Sequence, residues 1–141
     1  MFANTTTRLI EWGDCDPAGI VFYPRYFAMF DTATAALFQA ALGIDKAAML
    51  ARFDIAGFPM VDTRAQFRAA LGFGTVVRIE TCVTTLGRSS FGIRHALFDG
   101  ATLAVEGEET RVWTRRDPED PKRLRAAPIP DEVRACLAPS R

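Results

Sequence analysis

Histidine is almost missing from this chain, which has His95 alone among 141 residues. Cysteine is scarce as well: Cys15, Cys82 and Cys136 are odd in number, widely spaced and form no Cys-x-x-Cys pair. These scarcities exclude a metal cluster built from histidine and cysteine, and they exclude a disulfide framework. The thiols read as reduced ones in a cytoplasm. An excess charge of either sign is missing too, since Lys plus Arg and Asp plus Glu both total 17. No general basic field draws nucleic acid or an anionic membrane surface, so a negatively charged ligand needs local arginines. No window approaches the apolar run of about 18 residues that marks a membrane span. Residues Met1 to Arg8 show neither the basic nor the apolar region of a signal peptide. Internal repeats and low-complexity tracts are absent.

What is present is the composition of a globular domain, 49% hydrophobic and 24% charged. The length suits one domain over residues 1–141 with a real core. Thr5 to Trp12 suggests a first strand. A long helix is expected from Pro24 to Gly43, with proline at its first position and glycine just past its end. It carries few charges, so other elements should wrap it. A shorter helix follows near Asp45–Arg52, with Asp45 as N-cap. From Val61 to Ala69 apolar and polar residues alternate, as in a half-buried strand. Thr75–Thr85, Ser90–Phe98 and Ala101–Arg116 complete four antiparallel strands, with Asp99-Gly100 as a hairpin turn. The charged, proline-rich stretch 117–130 is expected as a loop, and Asp131–Leu137 as a terminal helix. One strand, a long helix and four further strands make an α+β layer architecture, either a five-stranded sheet curled around the helix or a plain sandwich.

The chemistry concentrates in Trp12-Gly13-Asp14-Cys15-Asp16-Pro17-Ala18-Gly19-Ile20-Val21-Phe22-Tyr23-Pro24. Pro17 holds Asp16 extended, and an extended run points Asp14 and Asp16 to one side. The loop ends at a helix N-terminus, where unpaired N–H groups and the macrodipole favour an anion. A carboxylate beside oxyanion donors is equipment for acyl transfer. The same residues are also ordinary turn formers. Asp31 is the one charge in Phe27-Ala28-Met29-Phe30-Asp31-Thr32-Ala33, which places it on an exposed flank or makes it a pocket acid. Tyr23 is an aromatic anchor or a backbone donor. His95 sits in an ordinary strand pattern and is expected to be structural, so a Cys15–His95 pair is not predicted.

The run Glu11 to Pro24 resembles the signature of the 4-hydroxybenzoyl-CoA thioesterase family. The resemblance continues through Gly57-x-Pro59, Ile79-Glu80-Thr81-Cys82, Ser90-Phe91, Arg94-His95 and Arg123-Leu124-Arg125-Ala126. It implies a hot-dog fold, with a five-stranded antiparallel sheet wrapped around a long central helix. It also implies a catalytic role for Asp16, a supporting one for Asp14, and a backbone N–H at Tyr23 that polarises the thioester carbonyl. Asp31 then lies at the acyl end of the pocket. Phe22 and Phe58 are candidate walls, where the family carries a tryptophan and a threonine. Arg88 and Ser90 match the segment that contacts the nucleotide of coenzyme A. Arg68, Lys122, Arg123 and Arg125 are either further phosphate partners or solvated surface.

The resulting expectation is a cytoplasmic acyl-CoA thioesterase acting on a small aromatic or short-chain acyl group. Asp16 serves as nucleophile or general base. No metal and no cofactor are expected, coenzyme A being part of the substrate. The resemblance implies a homodimer or a dimer-of-dimers tetramer. The alternatives are a non-catalytic acyl-CoA-binding module and an enoyl-thioester hydratase or dehydratase.

Overall fold

The computed structural model describes residues 1–138, so the last three residues of the expected domain lie outside the described residues. Helix α1 spans Pro24–Leu42. Pro24 occupies its first turn, and Gly43 closes it at φ 74°, a left-handed conformation that glycine adopts without penalty. Tyr26, Met29, Phe30, Ala33, Thr34, Leu37 and Phe38 are its buried side, at the spacing of one helical face. Helix α2, Lys46–Phe53, starts at Asp45, whose side chain accepts the Ala48 N–H at 2.8 Å.

Five strands form one antiparallel sheet: β1 Ala3–Leu9, β2 Met60–Phe67, β3 Val76–Leu86, β4 Ser90–Asp99 and β5 Thr102–Val112. Their order is β1-β3-β4-β5-β2, which leaves β1 and β2 as edges. The inner face carries Val77, Ile79, Val83, Ile93, Leu97 and Val105, all buried against α1. This is the hot-dog arrangement expected. A short ribbon, β6 Thr114–Arg116 with β7 Leu124–Ala126, and helix α3 Asp131–Leu137 complete the fold.

Three boundaries differ from expectation. β1 stops at Leu9, because Glu11 and Asp14 close a 3-10 turn over Trp12–Asp14. The last long strand breaks at Trp113, whose fully buried side chain packs into the core. Beyond it, Thr114–Arg116 pairs with residues inside the stretch expected as loop. The β4–β5 hairpin turns at Gly100 and Ala101, with Asp99 paired to Thr102 and Gly100 at φ 57°, the type II′ pattern.

The interior is divided. One apolar cluster surrounds Val21, Phe30, Leu71, Val77 and Leu97. The other surrounds Phe38, Phe58, Phe91, Trp113 and Leu137. Buried polar groups lie among them: Thr34, Thr81, His95, Glu109 and Arg111.

Candidate active site

The loop before α1 is built from its own hydrogen bonds. The Asp14 carboxylate accepts from Arg8 Nη2 at 2.9 Å and from the Glu11 N–H at 2.9 Å. Asp14 therefore holds the turn, and it does not lie in an extended run alongside Asp16. The Asp16 carboxylate accepts the Ala18 N–H at 2.8 Å, its carbonyl accepts the Gly19 N–H, and its N–H donates to Ile20. Gly19 permits this tight return at φ 79°. Residues 19–21 are stitched to 71–73 by Val21 N–H to Leu71 and Phe73 N–H to Gly19. Asp16 is half-buried, with one oxygen engaged by Ala18.

Phe22 donates its N–H to the Asp14 carbonyl at 2.9 Å, which delivers the chain to Tyr23 at the head of α1. Arg25 and Tyr26 N–H groups are satisfied by Phe22 and Tyr23 carbonyls, and Pro24 has none to offer. The Tyr23 N–H donates to no group among the described residues. It stands at the positive end of a 19-residue helix. Beside it opens a cleft of about 300 Å³ lined by Ile20, Val21, Tyr23, Tyr26, Phe67, Arg68, Ala69 and Ala70. Phe22 and Tyr23 are exposed, their rings in edge contact at 5.5 Å. Burial pushes the Tyr26 phenol up, partly offset by a hydrogen bond with the Leu71 backbone.

Cys15 is unsuited to attack. Its thiol is pushed up by burial and by the Asp14 and Asp16 charges, which depletes thiolate. His95 is fully enclosed elsewhere, stacked on Phe30 at 4.6 Å and bonded to Thr81 and Glu109. Among the described residues no three His, Cys, Asp or Glu side chains are placed to hold a metal.

The other expected residues are dispersed along α1 and the sheet. Asp31 is exposed and ion-paired to buried Arg111 at 2.8 Å. Phe58 is a core residue at 3% exposure, stacked on Phe38 at 4.7 Å, and its carbonyl faces Arg111. Arg88 and Ser90 shape the β3–β4 turn, at the opposite end of the sheet from the Asp16 loop. There the Gly87 N–H donates to the Ser90 carbonyl, and the Arg88 carbonyl accepts the Ile129 N–H. Arg68 is paired with Glu106, and Arg125 lies 3.7 Å from Asp117.

Glu109 and Arg111 are buried charged residues that sequence reasoning did not single out. Their signal was the period of β5, since Val105, Gly107, Glu109 and Arg111 share one face and that face is the buried one. Burial pushes the Glu109 carboxyl up. Its hydrogen bonds with His95 and Arg111, and the Arg111 charge, outweigh burial and hold it below the ordinary carboxylate range.

A family model described as the thioesterase-like superfamily matches residues 10–137. A 4-hydroxybenzoyl-CoA thioesterase of Pseudomonas sp. (strain CBS-3) is 34% identical over 139 residues, spanning 94% of this chain and 96% of that protein. The crystal structure of a 4-hydroxybenzoyl-CoA thioesterase mutant complexed with 4-hydroxybenzoyl-CoA superposes with TM-score 0.87 at 31% identity, over 98% of this chain and 100% of that one. A gentisyl-coenzyme A thioesterase superposes with TM-score 0.80 at 32% identity, over 96% and 99%.

Proposed function

Since the chain belongs to the thioesterase-like superfamily, we propose that it hydrolyses a small aromatic acyl-CoA to the free acid and coenzyme A, using Asp16 and the Tyr23 N–H. One observation carries the assignment. The Tyr23 N–H, left without an acceptor at the head of α1, and the half-buried Asp16 carboxylate belong to one internally bonded loop beside a cleft. The N–H and the helix dipole stabilise the oxygen on which negative charge develops. In the covalent route an Asp16 oxygen attacks the thioester carbon, the tetrahedral oxyanion collapses, and the C–S bond breaks to release coenzyme A thiolate. Water then opens the mixed anhydride and restores Asp16. In the general-base route Asp16 takes the proton of the water that attacks the same carbon. The relatives named for 4-hydroxybenzoyl-CoA and gentisyl-CoA support an aromatic acyl group.

Arg88 and Ser90 remain the proposed nucleotide contacts. Their distance from Asp16 within one chain supports a site completed by a second copy, as a homodimer or a dimer-of-dimers tetramer. The mostly exposed edge strand β2 offers an unpaired row of backbone groups for such pairing. Sedimentation velocity reads the assembly, and an active monomer overturns it. No single helix among the described residues is long and apolar enough to cross a membrane. We assign the enzyme to the cytoplasm, consistent with three unpaired cysteines; recovery in another cell fraction would exclude that.

The test is thiol release from a panel of acyl-CoA substrates by wild type and Asp16→Asn. Turnover of an aromatic member should fall by about 10²- to 10⁴-fold in the variant. No hydrolysis of any acyl-CoA by wild type, or undiminished turnover by D16N, refutes the assignment.

A further inference from the structure

The loop that carries Asp16 is held from behind by β1. Arg8, near the end of that strand, donates from Nη2 to Asp14 Oδ1 at 2.9 Å, and the Glu11 N–H donates to Asp14 Oδ2 at 2.9 Å. The Asp14 side chain is only 9% exposed, so its charge is withdrawn from water and Arg8 is the cation bonded to it. Arg8 Nε is buried and has no partner among the described residues. An ion pair that served stability alone has no reason to leave that N–H stranded.

Two consequences reach the chemistry through Asp14. The first is geometric. The Asp14 carbonyl accepts the Phe22 N–H at 2.9 Å, and the Phe22 carbonyl accepts the Arg25 N–H at 2.8 Å. The peptide between Phe22 and Tyr23 is planar, so its N–H points opposite to its carbonyl. These two bonds therefore aim the Tyr23 N–H, and one of them hangs on Asp14. The second consequence is electrostatic. Asp14 lies two residues before Asp16, and the Cys15 thiol between them is pushed up by burial and by both charges. Few other charged or titratable groups surround the pair. The loop adds the exposed Glu11, and α1 adds the Tyr26 phenol and the exposed Arg25. Arg68, which lines the cleft, is committed to Glu106, and residues 69–74, stitched to the loop, contain no titratable side chain. Among the described residues Arg8 is the one cation bonded to a carboxylate of the loop.

We propose that Arg8 is a positioning residue for thioester hydrolysis. From β1 it holds and neutralises Asp14, so that the Tyr23 N–H keeps its direction and no uncompensated buried charge lies behind Asp16. The inference rests on the roles assigned to Asp16 and Tyr23 above.

The test measures kcat and KM for 4-hydroxybenzoyl-CoA across the acid range, with folding checked by thermal melting. The proteins are wild type, R8K, R8M and R8M/D14N. R8M should lose about ten- to hundred-fold in kcat, with KM nearly unchanged, because the oxyanion contact exists only in the transition state. Its Asp14 charge is left unpaired and favours the protonated form of a neighbouring carboxyl, so the acid limb of the rate profile should move to higher pH. R8K keeps the charge and should return the limb to its wild-type position, with part of kcat. R8M/D14N removes both charges. It should also return the limb while kcat stays low, and it carries the test where R8M fails to fold. A merely structural role would lower kcat evenly across pH and leave the limb in place. Wild-type kcat in a folded R8M, or in R8M/D14N, overturns the positioning role. An unmoved limb in a folded R8M overturns the neutralising role. Absence of hydrolysis by wild type overturns the assignment above instead, and the same assay separates that result from the others.

Discussion

Gly107 is the tightest point between sheet and helix. It sits on the inner face of β5, where an added Cβ would lie 2.5 Å from two Phe30 ring carbons. Phe30 is fully buried, stacked on His95 at 4.6 Å and in edge contact with Phe27 at 5.7 Å, so the ring has no free direction in which to retreat. Gly107→Ala should therefore cost the roughly 1–3 kcal/mol typical of overpacking. Reduced freedom of the unfolded chain returns about 0.4–1 kcal/mol. At mid-range the net loss is about 1.3 kcal/mol, which corresponds to a Tm drop of roughly 4–6 °C for a chain of this size. Circular dichroism melts at one fixed protein concentration give Tm, and urea midpoints give the free energy. The decisive comparison repeats the substitution in a Phe30→Leu background, where the opposing ring is gone and the penalty should vanish. An equal penalty in both backgrounds, or an unchanged Tm in the single variant, refutes the steric argument.

Two further outcomes follow from the charges. Glu109 is held below its ordinary range in the folded state, so its stabilising contribution is present above the unfolded value of about 4.3 and is lost as pH falls through the folded value. The stability difference between wild type and Glu109→Gln, from urea unfolding at successive pH values, should shrink below about pH 4.3; a difference constant from pH 7 to 3 contradicts it. Cys15, with its thiol raised by burial and two neighbouring aspartates, should alkylate slowly at neutral pH by mass spectrometry, and Cys15→Ser should retain acyl-CoA hydrolysis. Loss of turnover in that variant would reinstate the thiol as a reactive group.

Local signals in the chain predicted the parts of the fold that depend on local chemistry. Pro24 and Gly43 bracket α1, and Asp45 caps α2, because each acts within one helical turn. The paired strands around Gly100 are likewise set by neighbours in sequence, whereas β2, expected to be half-buried from its alternation, is an edge strand exposed at all but one position. Non-local partners were out of reach. Thr114–Arg116 is a strand only because Leu124–Ala126 returns beside it, within a stretch whose charges and prolines read as loop. The Asp31–Arg111 pair spans 80 residues and left no local trace. At the site, Asp16 and Tyr23 were visible through Pro17 and Pro24, which constrain backbone directly. Asp14 was misread as extended, although Glu11 and Asp14 have the spacing of a capping box. Phe58 was read as a pocket wall, and its side chain instead fills the core against Phe38 and Phe91.

The polar belt of Thr34, Thr81, His95, Glu109 and Arg111 has a bearing on how this molecule opens. It lies among two apolar clusters that share α1 and the strands but few side chains. The cluster around Val21 and Leu71 anchors the Asp16 loop, while the cluster around Trp113 and Leu137 anchors α3. Such a division predicts two units of cooperativity in native-state hydrogen exchange, each able to loosen while the other stays closed. One half thus holds the loop that carries Asp16, and the other holds the terminal helix.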